Sequence, residues 1–241
     1  MLKSAADNGI KSEGGLYTTD NNSARTETAQ EARLLDDRLI CAWTGHPHFR
    51  MIDSSRDFNA KTDRLLREIK SFLGIPEPIE IERKFLIKYP DTAALDAMPS
   101  CKRIDIEQIY ISMPNGENAR LRKRGADGSY ICFLTKKRDV TPTKRIEIEK
   151  RLDGEEYNLL LSSAVSARKI NKTRYCLSFE SRYFEIDVFP FWSDKALLEI
   201  ELLSEDEAFE LPPFFEVIKE VTEDKRYSNH SLSYSILTEE I

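Results

Sequence analysis

Nine consecutive residues constrain this chain more than any others: Ile79-Glu80-Ile81-Glu82-Arg83-Lys84-Phe85-Leu86-Ile87. Ile79, Ile81, Arg83, Phe85 and Ile87 alternate with Glu80, Glu82, Lys84 and Leu86, which is the period of a β-strand. Glu80, Glu82 and Lys84 therefore leave one face, at i, i+2 and i+4. Two carboxylates and an ammonium in a row can hold a divalent cation and touch a phosphate beside it. A solvated strand face with chance acid–base pairing would look the same, so one strand decides nothing.

Later segments repeat the pattern. Residues 118–123 put Arg120 and Arg122 on one face, and Gly125-Ala126-Asp127-Gly128 then turns the chain. The next segment ends in Thr135-Lys136. Arg145, Glu147 and Glu149 share a face opposite Ile146 and Ile148, and Lys172 pairs with Arg174, Glu185 with Asp187, and Glu199 with Glu201. About eight such segments follow residue 79, joined mainly by hairpin-length turns, with short helices predicted at 91–98 and 155–164. The expected fold is α+β: an eight-stranded antiparallel β-barrel with flanking helices, preceded by a small helical segment. Isolated charges in a dry barrel cost several kcal/mol each. A polyphosphate with divalent cations removes that cost, because Arg and Lys bind phosphate oxygens and carboxylates hold Mg²⁺ or Mn²⁺.

Before the strands, a helix is expected over 28–43, with Thr28 and Glu31 as a capping box and Ala32, Leu35, Leu39 and Trp43 as its apolar stripe. A short strand is expected at 49–52 and a second helix at 59–73, stopped by Gly74. Ile75-Pro76-Glu77-Pro78 reads as a stiff linker, so the domain boundary falls between 1–78 and 79–241. His46 and His48 flank a proline with no third ligand nearby and read as structural. Gly9 and Gly14 have P-loop spacing, but Gly15 and Leu16 stand where Lys and Ser/Thr are needed, so this is not a P-loop.

Composition excludes some functions. With 241 residues, 40% hydrophobic and 32% charged, the chain is long enough for a proper core, and a net charge of −6 argues against a general nucleic-acid binder. No apolar run approaches the roughly 20 residues of a membrane span. Cys41, Cys101, Cys132 and Cys176 are far apart, as expected of free thiols in a cytoplasmic protein.

Taken together, Glu80-x-Glu82-x-Lys84, Arg120-Leu121-Arg122, Thr135-Lys136, Arg145-x-Glu147-x-Glu149, Lys172-Thr173-Arg174-Tyr175, Phe184-Glu185-Ile186-Asp187 and Leu198-Glu199-Ile200-Glu201 resemble the CYTH superfamily of triphosphate tunnel metalloenzymes over about residues 79–235. The terminal stretch from Lys219 to Asn229 resembles that family's bacterial tripolyphosphatase-like branch. The resemblance implies metal-dependent hydrolysis of a triphosphate, with tripolyphosphate ahead of nucleoside triphosphates. Glu80, Glu82, Asp187, Glu199 and Glu201 would be metal ligands, with Glu147 and Glu149 matching family acids of open orientation. Arg120, Arg122, Lys136 and Arg174 would grip the triphosphate, with Arg226 a further contact, and Lys84 with Glu82 would act on the attacking water. A class IV adenylyl cyclase and a non-catalytic polyphosphate- or nucleotide-binding module are the competing readings, and a homodimer would be unsurprising. Tyr17-Thr18-Thr19-Asp20-Asn21-Asn22, Arg25-Thr26-Glu27, and Gly45-His46-Pro47-His48 with Asp53 resemble the C-terminal part of a P-loop ATPase domain that precedes some CYTH proteins. The chain would then lack the P-loop half, which would be a partner for this segment.

Overall fold

The computed structural model describes residues 1–4, 6, 17, 24–52, 58–75, 79–114, 116, 118–141, 144–202 and 204–237. The glycines with P-loop spacing, most of the Tyr17–Asn22 stretch, Asp53 and the prolines of the linker lie outside these residues.

Alternating sequence becomes strand throughout the second part of the chain: β1 (Ile79–Lys88), β2 (Cys101–Ser112), β3 (Asn118–Ala126), β4 (Ser129–Asp139), β5 (Lys144–Leu152), β6 (Ser166–Phe179), β7 (Arg182–Val188), β8 (Lys195–Leu202) and β9 (Val217–Glu220). All pair antiparallel in the order β5-β4-β3-β2-β6-β7-β8-β1-β9. A further pairing of β5 with β1, through Ile79↔Ile146, Glu80↔Arg145 and Ile81↔Lys144, brings the ends of the eight-strand run together. The other half of that edge of β1, Phe85 to Ile87, is taken by β9. The structure is therefore a nine-stranded sheet curled into a tunnel that closes only along part of one seam, rather than an eight-stranded barrel closed along its length.

Because side chains alternate across each strand, one face of the tunnel wall is apolar. Outside, Ile81, Phe85, Ile87, Tyr175, Phe184, Ile186, Leu198 and Ile200 form the main core with Leu95 of α3 (Thr92–Ala97) and with Phe215. On the far side, Ile109, Ile111, Leu121 and Leu152 are covered by Tyr157 of α4 (Gly154–Ser162), whose N-terminus Asp153 and Glu156 cap reciprocally. One end of the tunnel interior is also apolar, where Leu86, Ile170, Phe189 and Leu197 meet Val221, Tyr227 and Leu232. Those last three come from the strap after β9, which includes a 3₁₀ turn (Lys225–Tyr227) and α5 (Asn229–Leu232).

The N-terminal helices form as expected, α1 at Ala29–Trp43 with the Thr28–Glu31 capping box and α2 at Phe58–Phe72, with Gly74 at φ 68° beyond it. Two details differ. The buried face of α1 is Ala32, Asp36 and Ile40, leaving Leu35, Leu39 and Trp43 exposed. Asp36 turns inward because it accepts from the backbone N–H and hydroxyl of Ser4, each at 2.7 Å. Residues 49–52 are no strand; they make a single parallel bridge, Leu2↔Ile52. Among the described residues no helix is long and apolar enough to cross a membrane.

Candidate active site

The inward faces of the strands enclose a cavity of about 1010 Å³, lined by acids and bases from six strands and from the segment before α2. Strand register assembles it. On the β1–β8 wall, Glu82 lies directly opposite Glu201 and Lys84 opposite Glu199. Lys84 Nζ sits 2.8 Å from Glu199 and 3.6 Å from Glu82. Arg174 Nη2 donates to Glu199 at 2.9 Å, and another guanidinium N–H donates to Glu185. Burial pushes the Glu199 carboxyl up, but Lys84, Arg174 and Lys172 outweigh it and hold the group well below the usual carboxylate range.

Glu201 is the opposite case. Burial and the carboxylates of Glu185, Glu147 and Glu82 raise it, against the single nearby guanidinium of Arg50 at 3.0 Å. Glu82 beside Lys84, Glu185 held by Arg174 and Glu201 held by Arg50 thus line one wall with carboxylate oxygens, the donor type that hard, oxygen-seeking divalent cations take. Among the described residues, no three His, Cys, Asp or Glu side chains already converge as a ready-made metal cage.

The facing wall is basic. Arg120 and Arg122, from β3, are held by Glu147 at 3.3 Å and Glu149 at 3.5 Å from β5, and Thr135 bonds both Arg120 (3.2 Å) and Glu149 (3.1 Å). Glu147 and Glu149 therefore both face the tunnel, where they position arginines. The Nε atoms of Arg120 and Arg122 are buried and have no hydrogen-bond acceptor. Burial and the neighbouring Arg120 charge also depress the Arg122 guanidinium, despite Glu149 and Glu147. Burial would lower the Arg120 guanidinium as well, but the acids Glu147, Glu80 and Glu149 raise it, and the Glu147 Oε2 atom is itself buried and accepts no hydrogen bond. Two buried N–H donors without acceptors would suit an anion's oxygens.

Most of the residues expected from sequence thus meet in one chamber: Glu80, Glu82, Lys84, Arg120, Arg122, Glu147, Glu149, Arg174, Glu199 and Glu201 all line it. Three do not. Lys136 is exposed and pairs with Ile148 on the outer surface, because Thr135 is the β4 residue in register with Arg120. Arg226 lies exposed on the strap, its Nε and Nη2 turned to Asp224 at 2.9 and 2.7 Å. Asp187 is fully buried behind the wall, and both of its oxygens accept from Arg174, with Lys172 on one of them. The strap motif around Arg226 has a docking role: Glu220 binds Arg83, Thr222 Oγ1 accepts from the Lys84 backbone N–H at 3.0 Å, and Tyr227 is buried.

The cavity also holds residues that sequence reasoning left out of the site. Glu185, Gln108, Tyr110, Arg124 and Thr135 follow from the same period-two alternation once the register is known. Arg50, Arg64 and Glu68 come from the N-terminal segment and carry no such signal. His46 and His48 pack edge-on, His46 against Trp43 at 5.5 Å and His48 against Phe72 at 5.1 Å, and both line the cavity.

Residues 78–231 match the CYTH domain. An inorganic triphosphatase of Nitrosomonas europaea is 39% identical over 163 residues, which are 65% of this chain and 98% of that protein. An inorganic triphosphatase of Acetivibrio thermocellus is 30% identical over 154 residues, 64% of this chain and 92% of its own length. A solved structure of an inorganic triphosphatase aligns with 65% of this chain and 95% of its own at 34% identity and a TM-score of 0.41. The domain match begins after the N-terminal helices, and the resemblance of that segment to a P-loop ATPase is not shown by any of these matches.

Proposed function

The chain belongs to the CYTH domain family, and on that premise we propose that it hydrolyses a phosphoanhydride bond of a linear triphosphate, inorganic tripolyphosphate before nucleoside triphosphates. The observation that carries this reading is the pair of buried, acceptor-less Nε–H groups of Arg120 and Arg122 across one chamber from the acid wall of Glu82, Glu185 and Glu201. The relatives named inorganic triphosphatase support it.

Arg120, Arg122 and Arg174 hold phosphate oxygens, and Glu147, Glu149 and Asp187 fix those guanidiniums before substrate arrives. Glu80, Glu82, Glu185 and Glu201 would hold Mg²⁺ or Mn²⁺ on the opposite wall. When bound there, such a cation would supply charge neutralisation for the phosphoryl oxygens. Glu82 accepts a hydrogen bond from the attacking water, and Lys84, steadied by Glu199, stabilises negative charge as it moves toward the leaving phosphate. Water adds to phosphorus, the anhydride P–O bond breaks, and tripolyphosphate yields orthophosphate and pyrophosphate.

Product identification by phosphorus NMR, with tripolyphosphate and ATP in parallel under Mg²⁺ and Mn²⁺, tests this. Orthophosphate and pyrophosphate from tripolyphosphate support the reading. Cyclic AMP with pyrophosphate from ATP would make the protein a cyclase, and tight binding without turnover would make it a binding module.

A further inference from the structure

β1 lines the chamber with Glu80, Glu82 and Lys84, and its two edges are not equally held. One edge pairs with β8 without a break from Ile81 to Lys88. The other meets β5 only at Ile79 to Ile81 and β9 only at Phe85 to Ile87. Among the described residues no strand pairs with that edge at 82–84. Lys84 sits in this gap in the seam.

The strap after β9 fills the gap. The Val221 N–H donates to the Lys84 carbonyl at 2.8 Å, and the Lys84 N–H donates to Thr222 Oγ1 at 3.0 Å. The first bond needs only a backbone, so any residue but proline could make it. The second depends on the Thr222 side chain. Thr222 Oγ1 in turn donates to Glu220 Oε1 at 2.6 Å, and Arg83 Nη2 donates to the other carboxylate oxygen at 2.6 Å. A hydroxyl that gives its proton to a carboxylate is a better acceptor for the next N–H. Arg83, Glu220 and Thr222 thus form a chain of hydrogen bonds that ends on the Lys84 backbone.

Both backbone groups of Lys84 turn to the strap. Its pairing with Glu199 of β8 is therefore of the non-hydrogen-bonded kind, in which side chains stand closest. That places Lys84 Nζ 2.8 Å from Glu199 and 3.6 Å from Glu82. Val221 and Tyr227 are buried in one apolar cluster with Leu86 and Leu197, which seats the strap independently of the side chain at 222.

We propose that Thr222 is a positioning residue for the hydrolysis. Its hydroxyl closes the tunnel seam at Lys84 and so fixes the ammonium against Glu199 and the reacting phosphoryl group. The inference rests on the triphosphate reading for the part that Lys84 plays.

Thr222→Val tests it, because valine keeps the shape and removes the acceptor, while Thr222→Ser keeps the acceptor. With tripolyphosphate, kcat of the valine variant should fall about tenfold to a hundredfold. KM should change less than about threefold, since the arginines that hold phosphate are untouched, and serine should restore kcat to within about threefold of wild type. Hydrogen exchange of the Lys84 amide reads the bond itself: slow in wild type and Thr222→Ser, faster by about tenfold or more in Thr222→Val. A kcat loss shared equally by both variants, a change confined to KM, or an unchanged kcat with the Lys84 amide released would overturn the inference. Wild type that binds tripolyphosphate without turnover would defeat the hydrolase reading alone, leaving Lys84 a binding residue. Calorimetry then decides: weaker tripolyphosphate binding by Thr222→Val than by Thr222→Ser keeps the positioning role, and equal binding removes it.

Discussion

Arg174 grips Asp187 through two hydrogen bonds, Nε to Oδ1 at 2.6 Å and Nη2 to Oδ2 at 2.7 Å, and the Lys172 ammonium shares Oδ2. The carboxylate is fully buried, so it acts as the counter-charge for two buried cations. Asp187→Ala leaves both without it and is expected to cost about 3–5 kcal/mol of stability. Glu201, half-exposed to the cavity and paired only with Arg50 among the salt bridges of the described residues, is the contrast. Glu201→Gln should change stability by about 1 kcal/mol or less while weakening divalent-cation binding. Urea unfolding of the two variants, beside Mn²⁺ titration of Glu201→Gln, checks both statements.

Lys172 gives a pH dependence. Burial first, then Arg174, pull its ammonium from 10.5 down to about 8, against the attraction of Asp187 and Glu199. Between those two values the unfolded chain keeps a proton that the folded protein has released. Unfolding then takes up a proton, so this group's contribution to stability rises with pH across the window and is flat below it. Unfolding free energies measured across that range should show an upward component in wild type that Lys172→Met lacks. An identical slope in both proteins would contradict the assignment.

The basic wall separates binding from bystander residues. Removing a charged donor to phosphate costs about 1.5–3 kcal/mol, so Arg122→Ala should raise KM for tripolyphosphate roughly tenfold to a hundredfold. Lys136→Ala and Arg226→Ala, both on outer surfaces, should stay within about twofold of wild type. Steady-state kinetics on the three variants distinguishes the tunnel from the charged exterior.

Thiol chemistry tests the packing independently. Cys101 and Cys176 are buried, and burial pushes their thiols up to about 12 and about 11. Cys41 and Cys132 are partly accessible. Alkylation of the native protein at neutral pH should label Cys41 and Cys132, leaving Cys101 and Cys176 unmodified until the protein unfolds.

The strands and most of the chamber were legible because period-two alternation shows which residues share a face. It does not show which face of a strand is inward when both are mixed. In β4 the inner residues are Phe133 and Thr135, so the adjacent Lys136, chemically the more attractive, falls outside. Glu185 and Asp187 share a face, and only the packing of Lys172 and Arg174 around Asp187 leaves Glu185 to line the cavity. For α1, the apolar stripe misled because a hydrogen-bonded Asp36 replaces a leucine on the buried side. Arg50 lies 151 residues from Glu201, a contact made by the tertiary fold that no local pattern announces.

The most direct measurement is orthophosphate release from tripolyphosphate by wild type and Glu82→Ala, with Mg²⁺ or Mn²⁺ and with chelator. Glu82 belongs to the acid wall and neighbours Lys84 at 3.6 Å, so the account predicts metal-dependent release in wild type and its loss by about a hundredfold or more in the variant. Release that is unaffected by chelator, or that survives in Glu82→Ala, would contradict it.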